Sequence, residues 1–502
     1  MHWSFKILMT LCVLSIAAFG GVWWFLSTYD EREPSRLAFI DQCAGCHGLQ
    51  LEGTETGVPL VGLSLQNGES TSELIKSIRE HESVSPDLGE PMTKALALYI
   101  IERRQALPSI PDSHNHSIPE GVVQTQYHDF TVELVAELSS GPYSIEPMPD
   151  GRILVSEKVR GLSIVDPSGT QGPLVAGTPK IWREIVHIRG SFVGLGQMLD
   201  VELHPNYKEN GWIYFSHADR CQLDCGSPWP RTMVRVVRGR IQDNQWLDQE
   251  VVWSVHKDNY TVVPDGVAGG RIAFDGAGDL YVTVGGKSTY DNLHVMDTPY
   301  GKIHRVHGDG VIPRENPFWR SDEERSVASA RNTVYSYGHR TAQGLTTDPE
   351  TGQIWSSEMG PRGGDEINRI VSGGNYGWPL YTNGLDYDAE PVSIGKDLGL
   401  DFPLSETILP VVDFTPAPSL SNLTFHQGQK FPDWENDILI GSLRAQTLFR
   451  IRLNGDELVE QETLLTHFGR IRDVEMGFDG LVYVLIEHGK TGSIVRLVPQ
   501  SS

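Results

Sequence analysis

The chain contains the pentapeptide Cys43-Ala44-Gly45-Cys46-His47. Two thiols separated by two small residues, with an imidazole next in line, suit a particular chemistry. Each thiol can add to one vinyl group of a porphyrin, and the imidazole then reaches the iron from the same turn. C-x-x-C-H is accordingly the attachment signature of a c-type haem. The bare C-x-x-C spacing also serves redox dithiols of the thioredoxin kind, so the surrounding sequence must decide. Of the five cysteines, Cys12 lies in an apolar run and Cys43 and Cys46 are claimed by haem. Cys221 and Cys225, in "CQLDCGSPWP", are expected to form a local disulfide in an oxidising compartment.

Helices must hold such a haem, and three are expected. "RLAFIDQCAGCHG" reads as a short helix ending at the haem turn. "STSELIKSIREH", Ser70 to His81, opens on Ser and Thr caps with Glu73 behind them. "GEPMTKALALYIIERR" has Pro91 in its first turn and places Leu96, Tyr99 and Ile100 on one face. Residues 35–107 thereby resemble a small cytochrome c, with Cys43 and Cys46 as thioether residues and His47 as proximal iron ligand. The opposite axial position stays open. Met92 is the candidate by residue type, although it falls on the apolar face with Leu96 and Tyr99. His81 is the alternative, and a third possibility is an iron with no protein ligand there.

The 502 residues exceed what one ordinary core can organise. With 65 acidic against 41 basic side chains, the formal charge is −24, which disfavours nucleic acid as a partner. Residues 1–34 carry an apolar run from Ile7 to Leu26, flanked by Trp3 at one end and Trp23 and Trp24 at the other. That length spans a bilayer, and the flanking aromatics suit its interfaces. Lys6 before the run, and Asp30, Glu31 and Glu33 after it, put the body outside the cytoplasm by the positive-inside rule. The expectation is an inner-membrane anchor with the body in the periplasm or a similar space. A cleaved signal peptide would export the body equally. Residues 108–127, rich in Pro, Ser and His, read as a linker, with His114 and His116 as solvated linker residues.

From 128 to 502 one pattern recurs: a strand, a turn with Asp, Pro or Gly, then a stiff apolar strand. The instances are "IEPMPDGRILVSEK", "VELHPNYKENGWIYFSH", "RIAFDGAGDLYVTVG", "LTTDPETGQIWSSE", "LTFHQGQKFPDWENDILIGSL" and "VEMGFDGLVYVLIEH". A single hairpin of this kind cannot bury its apolar face. Six stacked radially bury one another's faces, which predicts an all-β six-bladed propeller. The 52 glycines and 30 prolines fit the many turns. Unequal spacing means long insertions on loops, where sites reside.

Five further segments carry a resemblance: "YSYGHRTAQGL", "SSEMGPRGGDEINRI", "GGNYGWPLY", "ILIGSLRAQTLFRIRLNGD" and "GRIRDVEMGFDGLVYVL". From Phe130 to Pro499 the chain resembles the soluble PQQ-dependent sugar (aldose, glucose/sorbosone) dehydrogenases. These are six-bladed propellers that bind pyrroloquinoline quinone and calcium at one end. The resemblance implies PQQ held by Arg340, Arg444, Arg470 and Arg472. Arginine suits a tricarboxylate because its fork grips carboxylates in pairs. Arg444 stands where the family usually has Lys. Calcium is implied at the backbone carbonyls of Gly360 and Pro361, hard oxygen ligands of the kind that ion takes.

The sequence then departs from the family. The position of the family's general base is Val267, and that of the acid orienting it is Gly286. Thr341 replaces an Asn. Asp265 and His294 are nearby titratable groups off the matching positions. The resemblance implies a dehydrogenase acting on CH–OH groups of a sugar or alcohol. Its quinone would pass electrons to the haem and on to a downstream acceptor such as a cytochrome or oxidase. The missing base supports a second reading, a binding propeller beside an electron-transfer cytochrome.

Overall fold

The six recurrent segments are the inner hairpins of radially stacked antiparallel sheets. The structure, a computed structural model, describes residues 34–500 apart from 50, 55, 61–70, 82–83, 86–87, 105–117, 181–183, 189–190, 196, 228–230, 262–268, 287–288, 322–329 and 388–389. The chain divides into two compact units, Met1–Leu107 with Leu385–Pro391, and Pro108–Gly384 with Val392–Ser502. The predicted anchor, Ile7 to Leu26, lies outside the described residues, as do His114 and His116. Among the described residues, no helix is long and apolar enough to cross a membrane.

The larger unit is the propeller. Blade 1 comprises Pro142–Pro147, Ile153–Glu157 and Gly161–Val165. Blade 2 comprises Met198–Leu203, Ile213–Cys221, Arg231–Gln242 and Gln245–Trp253. Blade 3 is Gly269–Phe274, Asp279–Val284, Lys302–His307 and Val334–Tyr337. Blade 4 is Ala342–Thr347, Ile354–Glu358, Asp365–Arg369 and Val412–Phe414. Blade 5 is Leu420–Phe425, Ile438–Ser442, Leu448–Asn454 and Glu457–Leu465. Blade 6 takes Arg470–Met476, Val482–His488 and Thr491–Pro499 from late in the chain and Phe130–Leu138 from its first third. The register of that closure runs from Phe130 opposite Pro499 to Leu138 opposite Gly492. Val122–Val123 pairs outside Phe130–Leu138, so part of the segment read as linker is a strand.

Five of the inner hairpins turn on glycines at φ 84° (Gly151), 68° (Gly211), 85° (Gly278), 72° (Gly352) and 75° (Gly480). In blade 5, Asn436 takes the same left-handed region at φ 62°. Each sheet is covered on both faces by its neighbours, so its strands are buried without alternation, as in Ile153–Glu157, buried throughout. Between blades 5 and 6, Phe431 stacks on Trp434 with ring centres 4.4 Å apart, packed with Phe468, Ile471 and Val484. Each such side chain contributes about 2–3 kcal/mol by leaving water.

At the axis the inner strands present polar groups to one another. Arg271, 1% exposed, bonds Asp200 at 2.8 Å and Asp473 at 2.9 Å, and donates to the carbonyls of Arg472 at 2.9 Å and Gln343 at 3.0 Å. Asp473 also accepts from the Ile145 amide at 2.8 Å, and Asp200 from Ile272 at 2.9 Å. Asn422 donates to Glu475 at 2.8 Å and accepts from Leu345 at 3.3 Å. One side-chain network thereby touches the inner strand of every blade. Glu146, Glu202 and Glu475 lie close by. Burial, reinforced by neighbouring carboxylates, raises all three well above the usual range.

The smaller unit contains helices α1 (Pro34–Gln42), α2 (Ala44–His47), α3 (Thr71–Glu80) and α4 (Glu90–Arg104). The expected first helix is broken at Cys43 into α1 and α2. Phe39, Cys43, Leu51, Leu74, Ile78, Leu96, Tyr99 and Ile100 form its core. In the propeller, Cys221 and Cys225 are joined by the expected disulfide.

Replacing Arg271 by Met should remove about 3–5 kcal/mol of stability, because two buried carboxylates lose their counter-charge. Burial already pushes Asp473 up to about 6 in the presence of Arg271. A carboxyl raised in the folded state loses its contribution as pH rises, so the deficit should be larger at about pH 8 than at about pH 5. Urea unfolding of the variant at the two pH values measures this.

Candidate active site

Strand pairing puts the start of every inner strand beside the end of the second strand. The pairs are Pro142 with Glu157, Met198 with His217, Gly269 with Val284, Ala342 with Glu358, Leu420 with Ser442, and Arg470 with Glu487. These pairs ring one mouth of the propeller. Arg340 lies two residues before Ala342, and Gly360 two after Glu358. Arg444 lies two after Ser442, and Gly286 two after Val284. Arg470 and Arg472 open the inner strand of blade 6. Topology thus gathers the sequence-predicted residues of this unit at one end. Val267 and Asp265 lie outside the described residues.

Glu487 anchors a cationic cluster there. It pairs with Lys158 and Arg472, and Arg470 Nε lies 3.7 Å from it. Burial opposes its ionisation, but Arg472, Lys158 and Arg470 outweigh burial and hold its carboxyl well below the usual range. Burial, with Arg472 beside it, brings Lys158 down to about 7. Two arginines and a lysine that titrates near neutrality, set on one carboxylate, leave a positive surplus, a suitable seat for an anion. Lys158 and Glu487 escape a reading of local motifs. Their one signal is position, at the end of the second strand of a repeat. Arg470 Nη1 also reaches the Leu443 carbonyl at 3.5 Å, next to Arg444, whose amide is held by the Pro418 carbonyl at 3.0 Å.

Arg340 is fixed by Glu358. That carboxylate accepts from the amides of Arg340 and Thr341 and from His339 Nδ1 at 2.9 Å. The Arg340 guanidinium lies 5.3 Å from the Trp378 ring centre and donates to the Met359 carbonyl at 2.9 Å. Thr341 Oγ1 and Trp378 Nε1 are buried and have no hydrogen-bond partner among the described residues. Orphaned polar atoms flanking a buried arginine are what a missing polar ligand leaves behind.

The Gly360–Pro361 turn folds back on itself. A Cβ at Gly360 would lie 2.3 Å from the Gly363 carbonyl oxygen and 2.4 Å from that of Gly364. The carbonyls of Gly363 and Gly364 therefore press on Gly360, which only glycine can accommodate. Asp365 pins the turn, accepting from Gly360 at 2.8 Å and from Leu420 at 2.9 Å, and burial pushes it up to about 7. Among the described residues, no group of three or more His, Cys, Asp or Glu side chains is arranged to hold a metal.

Gly286 has no room for the acid that the resemblance expects there. A Cβ would meet Leu293 Cδ2 at 2.0 Å and the backbone N and Cα of Gly301 at 2.9 Å. His294 lies by Trp378, with Nε2 2.8 Å from its carbonyl and its ring against Tyr337 and Phe402. Burial lowers its pKa, so it stays neutral at neutral pH and donates through Nε2.

In the smaller unit, the thiols of Cys43 and Cys46 are not bridged. Burial, with Cys46 adding to it, pushes the Cys43 thiol up to about 11. His47 Nδ1 lies 2.7 Å from the Val58 carbonyl oxygen. Met92 packs on Ala95 and Leu98, in a cluster separate from that of Cys43. His81 faces His47, with ring centres 6.2 Å apart.

Residues 139–496 match the family model described as Glucose / Sorbosone dehydrogenase. The aldose sugar dehydrogenase YliI of Escherichia coli is 30% identical over 375 residues, covering 74% of this chain and 93% of that protein. Quinoprotein glucose dehydrogenase B of Acinetobacter calcoaceticus is 25% identical over 449 residues, covering 74% and 88%. The crystal structure of the soluble E. coli aldose sugar dehydrogenase in its apo form superposes with a TM-score of 0.63 at 28% identity, covering 74% of this chain and all of that one.

Installing an acid by Gly286→Asp should cost roughly 1–3 kcal/mol through overpacking. Leu293→Ala in the same chain should recover part of that loss, whereas the Gly301 backbone keeps recovery incomplete. Thermal unfolding of the single and double variants reads both effects.

Proposed function

Because the chain belongs to the glucose/sorbosone dehydrogenase family, we propose that it is a quinoprotein dehydrogenase acting on CH–OH groups of a sugar or alcohol, with a covalent haem as its electron outlet. The observation that carries this reading is the set of Lys158, Arg470 and Arg472 gathered on the single carboxylate of Glu487 at the propeller mouth. A surplus of buried positive charge suits a polycarboxylate. Arg470, Arg472 and Lys158 would hold one end of PQQ, with Arg340 and Arg444 on the neighbouring blades. Thr341 Oγ1 and Trp378 Nε1 supply polar atoms that want partners. The backbone carbonyls of Gly360 and Pro361 would hold calcium. When bound, PQQ supplies a two-electron acceptor for the substrate C–H bond.

The chain's own residues prepare that site. Glu487 keeps Arg470 and Arg472 oriented, and Glu358 fixes the backbone that carries Arg340. His294, neutral and already donating through Nε2, keeps Nδ1 as its proton-accepting nitrogen. It is the imidazole adjoining the Arg340–Trp378 pair and the candidate for the base missing at Val267. In the smaller unit, Cys43 and Cys46 would carry the haem thioethers and His47 the iron, with the next acceptor a cytochrome or oxidase. The apolar N-terminal run would hold the protein at the inner membrane, its body in the periplasm.

A second reading rests on Gly286. The space where the orienting acid belongs is filled by Leu293 and Gly301, so a propeller that binds the anion without turnover is the alternative.

Calorimetry with PQQ and calcium should show binding to the parent chain. It should weaken about 100-fold or more in Arg470→Ala/Arg472→Ala, since each charge-assisted hydrogen bond is worth about 1.5–3 kcal/mol. Equal affinity in both would refute the site. Absorbance of the haem during addition of aldoses and alcohols then separates the readings: reduction supports the dehydrogenase, and PQQ binding without reduction leaves the binding propeller.

A further inference from the structure

We infer that His81, and not Met92, is the second axial ligand of the iron, so that the smaller unit carries a bis-histidine haem. This rests on the proposed haem at Cys43 and Cys46 and names the ligand that the sequence leaves open.

His47 is oriented for a metal. Its Nδ1 donates to the Val58 carbonyl at 2.7 Å, which leaves the lone pair on Nε2. An outer partner of this kind fixes the tautomer and aim of a ligating imidazole. The His81 ring then lies 6.2 Å from the His47 ring, centre to centre, at 66°. A metal bound at about 2 Å by the outer nitrogen of each of two opposed imidazoles puts their ring centres roughly 6 Å apart. The observed spacing therefore leaves room for one iron and no more.

His81 is held in that place by the core. It follows directly on α3, whose Leu74 and Ile78 pack in the cluster that includes Cys43 and Leu51. Its amide bonds the Ile78 carbonyl at 3.3 Å, and its carbonyl accepts from Val84 at 3.1 Å. The Ser85 amide donates to the Gln42 side chain at 2.9 Å. Gln42 immediately precedes Cys43, so the turn after His81 is tied to the start of the haem turn. Met92 is placed elsewhere, against Ala95 and Leu98. Between residues 34 and 104, His47 and His81 are the only histidines and Met92 the only methionine.

The consequence is electronic. A thioether opposite histidine raises the potential of a haem. Imidazole on both faces therefore gives a lower-potential centre, and one closed to small ligands.

The test uses the full-length chain produced with haem attachment. Haem that stays on the polypeptide after denaturation establishes the attachment; a chain that loses it overturns the haem reading and this assignment with it. With haem retained, the ferric parent should be low-spin and lack the methionine–iron charge-transfer band, and Met92→Ala should leave the spectrum unchanged. His81→Ala should become high-spin and return to low-spin on adding imidazole. His81→Met should gain the methionine band and shift the midpoint potential upward. A methionine band in the parent that disappears in Met92→Ala would overturn the assignment while leaving the haem in place. So would a His81→Ala spectrum identical to that of the parent.

Discussion

The propeller depends on the guanidinium of Arg271. Six sheets around an axis leave a central line where backbone and polar side chains of different blades meet out of reach of bulk solvent. Arg271 offers its donors in several directions there. It meets Asp200 and Asp473 and the carbonyls of Gln343 and Arg472, four groups from three other blades. Asp473 passes the connection to blade 1 through Ile145, and the Asn422–Glu475 bond extends it to blade 5. A hydrocarbon plug would fill the same volume, but it would not fix the blades' rotation about the axis. Directional bonds do, and the mouth geometry inherits that precision because Arg472 carries both its own site side chain and a carbonyl bound by Arg271.

The mouth works by charge imbalance. Glu487 is buried, yet it stays ionised because three cations outnumber it. Those cations in turn are kept apart and aimed by it. Two blades over, Glu358 acts differently. It spends its oxygens on backbone amides and on His339, and so stiffens the loop bearing Arg340 without neutralising it. Two glutamates at the same position of their repeats thus serve opposite ends: one concentrates cations, the other holds a frame.

Much of this was legible in the chain. The six inner hairpins announce themselves because turn residues and stiff apolar strands are local signals. The CAGCH turn is equally local. The arginines could be placed because they sit in quotable segments. Lys158 and Glu487 could not, because their partnership spans 329 positions, and each alone looks like an ordinary charged strand end. Arg271 reads as a glycine-flanked strand residue until its counter-ions arrive from blades 2 and 6. Met92 is hard to place for another reason. Residues Ala95 to Ile101 of α4 are all buried, so helical periodicity cannot say which face meets the CAGCH turn. Gly286 shows the limit from the other side: the sequence records the loss of an acid, but only packing shows that Leu293 has taken the space.

The closure of blade 6 sets an order of events. Phe130–Leu138 emerges early in synthesis and finds its neighbour, Thr491–Pro499, only after all the intervening blades have been made. Until then five blades stand as an open crescent with two raw sheet edges. The ring is therefore sealed in a single late act, whereas the helical unit ahead of it closes on its own contacts.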